Sequence, residues 1–126
     1  MAGDRDGSQR DLSAGVGLEE IPDGGCIRGR VRGEDAILVR RGEALYAVGA
    51  WCSHHHGPLA DGMFEDEVVF CPWHNACFDL RNGQPVEAPI LEPISCWRVE
   101  RVGDVAFVRE KMRDQERSRE VGAPPS

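Results

Sequence analysis

The chain has 126 residues, of which 40% are hydrophobic and 29% charged, and its formal net charge is −7. This length allows one domain with one core but not two packed domains. The excess negative charge lies between residues 18 and 110 and argues against nucleic acid or an anionic membrane as partner, because both need a basic surface. The sequence has neither a secretory-type apolar segment at its start nor an apolar run of the roughly 20 residues that a membrane helix needs, so we expect a cytoplasmic protein.

Composition divides the chain into three zones. Residues 1–17 are polar and rich in Gly and Asp, and they are predicted to be a disordered leader. Residues 18–110 have alternating apolar and polar positions with regular turns, and they are predicted to form the globular domain. Residues 111–126 are charged and then rich in Pro and Gly, which predicts a flexible or weakly helical tail.

The globular zone is predicted to be all-β. Seven short β-rich segments follow one another: Cys26–Val31 (an edge strand), Ala36–Arg41, Ala44–Val48, Glu67–Phe70, Ala76–Leu80, Ser95–Glu100 and Val105–Val108. Glycine-containing turns join the second segment to the third and the sixth to the seventh, and the Arg81-Asn82-Gly83 turn ends the fifth. Short strands at this spacing predict a small antiparallel sandwich or barrel.

Two short segments carry the chemistry. The first is Cys52-Ser53-His54 and the second is Cys71-Pro72-Trp73-His74, with 16 residues between His54 and Cys71. Each segment offers one thiolate and one imidazole on a loop at the end of a predicted strand. If the two loops face each other, two sulfurs and two nitrogens meet at a common point, which indicates a metal site.

Three metals compete for this set of ligands. A structural zinc site usually has Cys-x2–4-Cys and His-x3–5-His spacing, which the alternating order here fits poorly, although zinc could occupy such ligands. A mononuclear copper site usually takes one thiolate rather than two. A 2Fe–2S cluster in which two His replace two Cys on one iron matches the number and type of the ligands directly.

The two segments together resemble the Rieske motif, Cys-x-His-x(15–17)-Cys-x-x-His. The flanking sequences Gly57–Gly62 and Cys77–Gly83 are also similar to the loops of that family. The resemblance extends over Leu18–Arg109 and is strongest to bacterial Rieske-type ferredoxins and to Rieske domains fused to FAD-dependent ferredoxin reductases. It implies a small antiparallel Rieske-like sandwich with a cluster-binding subdomain made of the two ligand loops.

The resemblance also implies the roles of the four residues. Cys52 and Cys71 would hold one iron of the 2Fe–2S cluster, and His54 and His74 the other. The protein would be a one-electron carrier between an FAD-dependent ferredoxin reductase and a terminal oxygenase or similar redox protein. No residue resembles an acid, base or nucleophile placed for substrate chemistry, so we expect an electron-transfer component of an oxidoreductase system without a catalytic site of its own.

Departures from the high-potential Rieske proteins predict a low reduction potential. Those proteins carry an extra disulfide at positions that match Gly57 and Trp73, and hydroxyl groups near sulfur at positions that match Ala76 and Phe78. Hydrogen bonds to sulfur stabilise the reduced cluster. Without them, the potential is expected in the lower part of the Rieske range of roughly −150 to +300 mV.

Other residues near the motif are not expected to be ligands. The Cys-x-His spacing selects His54 over His55 and His56, and Cys77 is interpreted as a buried thiol. Cys26 and Cys96 lie on predicted strands and are interpreted as core residues. The segment Ala88–Pro93 resembles the third, proline-containing loop that covers the cluster in this family.

An acidic run, Asp61 and Glu65–Glu67, lies beside the site. It is either a solvated turn or a docking surface for a basic reductase or oxygenase.

Three alternative functions remain open at this stage. The chain could be the electron-entry domain of a fused FAD-dependent reductase, or the small subunit of a nitrite-reductase-like enzyme. A structural zinc or interaction module is the third alternative, and metal content would distinguish it.

Overall fold

The computed structural model describes residues 10–52, 58–72, 77–86 and 93–112. Within these ranges the chain is mostly antiparallel strand, with three single 3₁₀ turns at Leu12–Ala14, Leu18–Glu20 and Leu59–Asp61. The strands are β1 (Val16–Gly17), β2 (Cys26–Val31), β3 (Glu34–Arg41), β4 (Ala44–Gly49), β5 (Met63–Glu65), β6 (Val68–Phe70), β7 (Cys77–Asp79), β8 (Cys96–Val102) and β9 (Val105–Lys111). No helix in the described part of the chain is long and apolar enough to cross a membrane.

The larger sheet has six strands in the order β1-β9-β8-β4-β3-β2. Strand β3 lies inside it and is buried on both faces, which explains its nearly continuous apolar sequence. Ile37 and Val39 pack into one hydrophobic cluster, and Ala36 and Leu38 into a second on the opposite face. The sheet therefore separates two cores.

The smaller sheet has three strands in the order β5-β6-β7. Its inward row consists of the register partners Phe64, Val69 and Phe78, and all three belong to or pack against the cluster that contains Ile37 and Val39. This sheet and the loops at its ends correspond to the predicted cluster-binding subdomain, so the predicted all-β architecture is confirmed.

All seven predicted segments contain a strand, and Cys26–Val31 is an edge strand as predicted. The prediction that the leader extends to residue 17 is wrong. Leu12 and Val16 have no exposed surface, and Val16 pairs with Ala106 in the larger sheet. Asp11 caps the first turn by accepting a hydrogen bond of 2.9 Å from the Ser13 amide. The tail was predicted to start at residue 111, but Lys111 is the last residue of β9 and Met112 is buried in the core. Residues 1–9 and 113–126 lie outside the described ranges.

Candidate metal centre

The first predicted ligand loop leaves the larger sheet at the end of β4. Trp51 forms an isolated antiparallel bridge with Pro58, and the Leu59 amide donates to the Ala50 carbonyl at 2.9 Å. These contacts hold the two ends of the loop together. Cys52 lies at its start with no exposed surface. His54, with His55, His56 and Gly57, lies outside the described residues.

Asp35 fixes the residues that precede Cys52. Its carboxylate accepts a hydrogen bond of 3.1 Å from the Trp51 indole and one of 3.0 Å from Nε of Arg30. Its carbonyl accepts from the Ala50 amide at 3.2 Å. The guanidinium of Arg28 lies 5.5 Å from the centroid of the Trp51 ring, within cation–π range. The approach to Cys52 is thereby attached to the start of β3.

The second predicted ligand loop joins β6 to β7. Phe70 pairs with Cys77, so residues 71–76 form the connection of this hairpin. Cys71 is 5% exposed and lies at the start of the connection. Cys77 is also buried, as the sequence predicts. His74, Trp73 and Ala76 lie outside the described residues.

A close backbone contact joins the two loops. A Cβ at Gly62 would lie 2.0 Å from the carbonyl oxygen of Phe70, the residue before Cys71. The Gly62 amide donates to the Leu59 carbonyl at 3.0 Å, which closes the 3₁₀ turn after the first loop. Only glycine allows this approach. Cys52 and Cys71 belong to one buried hydrophobic cluster.

Arg81 supports the turn after β7. Its Nε and Nη2 atoms donate to the two carboxylate oxygens of Asp79 at 3.0 and 2.8 Å. The pKa of Arg81 is raised mainly by its hydrogen bonds to Asp79 and further by the charges of Asp79 and Glu67. Asp79 is only 9% exposed, and the bidentate geometry offsets the cost of burying its charge.

Glu67 and Asp66 attach the smaller sheet to the β3–β4 hairpin. The Tyr46 hydroxyl donates to Oε2 of Glu67 at 3.2 Å, and Nε of Arg41 donates to the carbonyl of Asp66 at 2.8 Å. Partial burial and the neighbouring charge of Glu67 raise the pKa of Tyr46. The carboxylate of Glu67, one of the predicted docking residues, therefore has a structural partner.

A third segment reaches the site from the chain that precedes β8. The Ile94 amide donates to the Gly83 carbonyl at 2.8 Å, and the Ser95 carbonyl accepts from the Gly49 amide at 2.9 Å. Pro93 and Ile94 line a groove of about 450 Å³ together with Cys52. Of the predicted covering loop Ala88–Pro93, only Pro93 lies within the described residues.

The described side chains fit an iron–sulfur cluster. All five cysteines are described, and none forms a disulfide. Two thiolates buried in an apolar cluster would be unfavourable without nearby positive charge, which ferric iron supplies. Among the described residues no three potential ligands form a metal site, since this part of the chain contains only two of the four predicted ligands.

An antiparallel β-fold in which two loops bring buried thiols into one core defines a candidate iron–sulfur domain. The model of the Rieske [2Fe–2S] domain family matches residues 16–98. The chain belongs to this family. Family membership selects the 2Fe–2S cluster from the three metals considered, and the protein therefore has a Rieske-type 2Fe–2S cluster as its cofactor.

Similar proteins are ferredoxin components. The anthranilate 1,2-dioxygenase ferredoxin subunit of Burkholderia cepacia is 42% identical over 71 residues, which is 56% of this chain and 66% of the relative. The 3-phenylpropionate/cinnamic acid dioxygenase ferredoxin subunit of Photorhabdus laumondii is 35% identical over 83 residues, covering 65% of this chain and 78% of the relative. The solved ferredoxin of carbazole 1,9a-dioxygenase from Nocardioides aromaticivorans IC177 superposes with a TM-score of 0.70 at 30% identity, covering 75% of this chain and 93% of the other.

Proposed function

We propose that this protein carries single electrons from an FAD-dependent ferredoxin reductase to a terminal oxygenase or a similar redox protein. The observation that carries the proposal is the burial of Cys52 and Cys71 in one core, each at the start of a loop whose sequence contains one of the predicted histidine ligands. A cluster held there alternates between an oxidised and a one-electron-reduced form.

We further propose that Cys52 and Cys71 bind one iron, and His54 and His74 the other. The loop geometry supports the two thiolates, and the spacing of the sequence supports the two imidazoles. Two ferric ions, two sulfides and two thiolates are formally neutral together, so adding an electron is easier than with four thiolates. Histidine ligation thereby sets the potential range in which the carrier works.

The names of the similar proteins support the proposed redox partners. Two similar proteins are ferredoxin subunits of dioxygenases, and a third is the ferredoxin of carbazole 1,9a-dioxygenase. An oxygenase of this kind needs electrons from outside, and a ferredoxin reductase supplies them. Neither nucleic acid nor a membrane belongs to the proposal because the chain is acidic. We place the protein in the cytoplasm, where thiols stay reduced.

A reconstituted electron-transfer chain tests the proposal. NADH, an FAD-dependent ferredoxin reductase and cytochrome c are mixed with and without the anaerobically purified protein. We expect reduction of cytochrome c to depend on the protein and to saturate with its concentration. The control is protein from which the iron has been removed. If the iron-loaded protein adds nothing to the rate of the reductase alone, the carrier function is wrong.

A further inference from the structure

The outward face of the smaller sheet exposes an apolar patch. Met63 on edge strand β5 is 68% exposed, more than any other large hydrophobic residue in the described part of the chain. Its register partner on β6 is Phe70, which is half-buried. Paired residues of an antiparallel sheet point to the same side, so the two side chains form one surface, called here the Met63–Phe70 patch.

Three carboxylates lie next to this patch along the chain. Asp61, Glu65 and Asp66 are exposed, and Glu65 shares the outward face of β5 with Met63. None of the three takes part in the ion pairs found within the described ranges, whereas Glu67 pairs with Arg81. The structure thus divides the acidic run. Glu67 is part of the fold, and the other three carboxylates form an acidic rim that is available to a partner.

The patch lies beside the proposed metal centre. Phe70 directly precedes Cys71, and the backbone of Phe70 is in contact with Gly62, which closes the 3₁₀ turn after the first loop. A protein bound on the patch would therefore approach one of the proposed thiolate ligands. An exposed apolar centre with a charged rim is the usual anatomy of a protein–protein interface. Methionine suits such a centre because its flexible thioether adapts to different surfaces.

We propose that the Met63–Phe70 patch is the docking surface for a redox partner whose own surface has an apolar centre and a basic rim. The inference rests on the proposed carrier function, since it assigns the surface through which electrons are passed. The acidic rim disfavours the alternative occupant, a second copy of this chain, because the two rims would repel each other. A basic partner is attracted to the same charges.

Stopped-flow reduction of cytochrome c tests this surface, because cytochrome c presents an apolar haem edge within a ring of lysines. The dithionite-reduced protein, freed of excess dithionite, is mixed with oxidised cytochrome c. Met63→Gln replaces an apolar side chain by a polar one of similar size. Val102→Gln makes a comparable change at a site that is 53% exposed on the β8–β9 hairpin. We expect the second-order rate constant to fall about fivefold for Met63→Gln and to stay unchanged for Val102→Gln.

Charge variants test the rim in the same experiment. Glu65→Gln should lower the rate constant about twofold at low salt, and the difference should vanish at high salt. Asp104→Asn removes the same charge from the β8–β9 turn and serves as the matched control. Equal rates for the wild type, Met63→Gln and Val102→Gln would overturn the docking surface. So would salt-dependent self-association of the wild type that Met63→Gln abolishes.

Ferricyanide separates this inference from the carrier function, because a small acceptor needs no docking surface. At high salt, where charge effects on ferricyanide are screened, all four variants should reduce it at the wild-type rate, and all should keep the wild-type potential and visible spectrum. If the wild type reduces neither acceptor, the carrier function itself fails. If ferricyanide is reduced normally and Met63→Gln reduces cytochrome c at the wild-type rate, only the proposal of the docking surface is wrong.

Discussion

Gly62 and Phe70 are so close that a Cβ at Gly62 would lie 2.0 Å from the Phe70 carbonyl oxygen. The contact joins the 3₁₀ turn that follows the first loop to the residue that precedes Cys71 in the second. The contact depends on the absence of a side chain at Gly62.

Gly62→Ala is therefore expected to separate the loops. The backbone must move to remove the overlap, at a cost of about 3 kcal/mol or more. We expect the purified variant to contain much less iron per chain than the wild type. Gly49→Ala is the control, because its Cβ would lie 3.5 Å from the nearest atom, an ordinary contact. Full iron content in Gly62→Ala would contradict this role of the contact.

Arg81→Ala should destabilise the fold more than the loss of an ordinary surface ion pair. It leaves the buried carboxylate of Asp79 without its bidentate partner, at a cost of about 1–2 kcal/mol given the partial exposure of Arg81. Arg101→Ala breaks a pair with Glu43, whose side chain is 93% exposed, and should cost less than about 0.5 kcal/mol. Urea unfolding curves of the two variants measure the difference, and equal midpoints would refute it.

Cys26 should react slowly with iodoacetamide. Burial, followed by the charge of Asp61, raises the pKa of Cys26 to about 11. The thiolate is the reactive form, so labelling at pH 8 should be roughly a hundredfold slower than for an ordinary thiol. Peptide mass spectrometry measures this, with urea-unfolded protein as the reference. Similar rates in the folded and unfolded protein would show that the pKa is normal.

The same shift predicts a loss of stability at alkaline pH. The pKa of Cys26 is higher in the folded than in the unfolded chain, so its protonated thiol stabilises the fold below about pH 8.5. This contribution is lost as the pH rises through about 11. Cys26→Ser should therefore make unfolding less dependent on pH in that window.

The reduction potential is predicted to be below zero. Phe78 is fully buried and has no hydroxyl to donate to a sulfur, in contrast to the high-potential proteins of the family. Phe78→Tyr should raise the potential, by about 59 mV if the new hydrogen bond favours the reduced cluster by about 1.4 kcal/mol. Voltammetry of both proteins measures the shift. A clearly positive wild-type potential would contradict the prediction.

Much of the fold was predictable because the strands obey local rules. The apolar residues of β3 and the glycine turns of the β3–β4 and β8–β9 hairpins predicted two of the pairings in the larger sheet. The Cys-x-His and Cys-x-x-His spacings identified the family. These features depend on residues that are close together in the sequence.

The features that the sequence did not predict depend on distant residues. The hydrogen bond from Trp51 to Asp35 joins separate elements, and no local pattern encodes it. The contact of Gly62 with Phe70 was missed together with strand β5, which Gly62 directly precedes. The sequence did not predict that the residues around Val16 are part of the fold. They are polar and resemble a disordered leader, whereas pairing with β9 buries Val16. Edge strand β5 was missed because its three residues, Met63-Phe64-Glu65, include no β-branched residue and no glycine turn follows them.

The most direct test of the central claim is electron–nuclear double resonance on the dithionite-reduced protein, grown with ¹⁵N-labelled histidine. Binding of one iron by His54 and His74 predicts couplings from two histidine nitrogens, and His55→Ala and His56→Ala should leave both in place. A cluster signal without nitrogen couplings would contradict the proposed ligands. A protein that contains zinc, or no iron, would contradict the account as a whole.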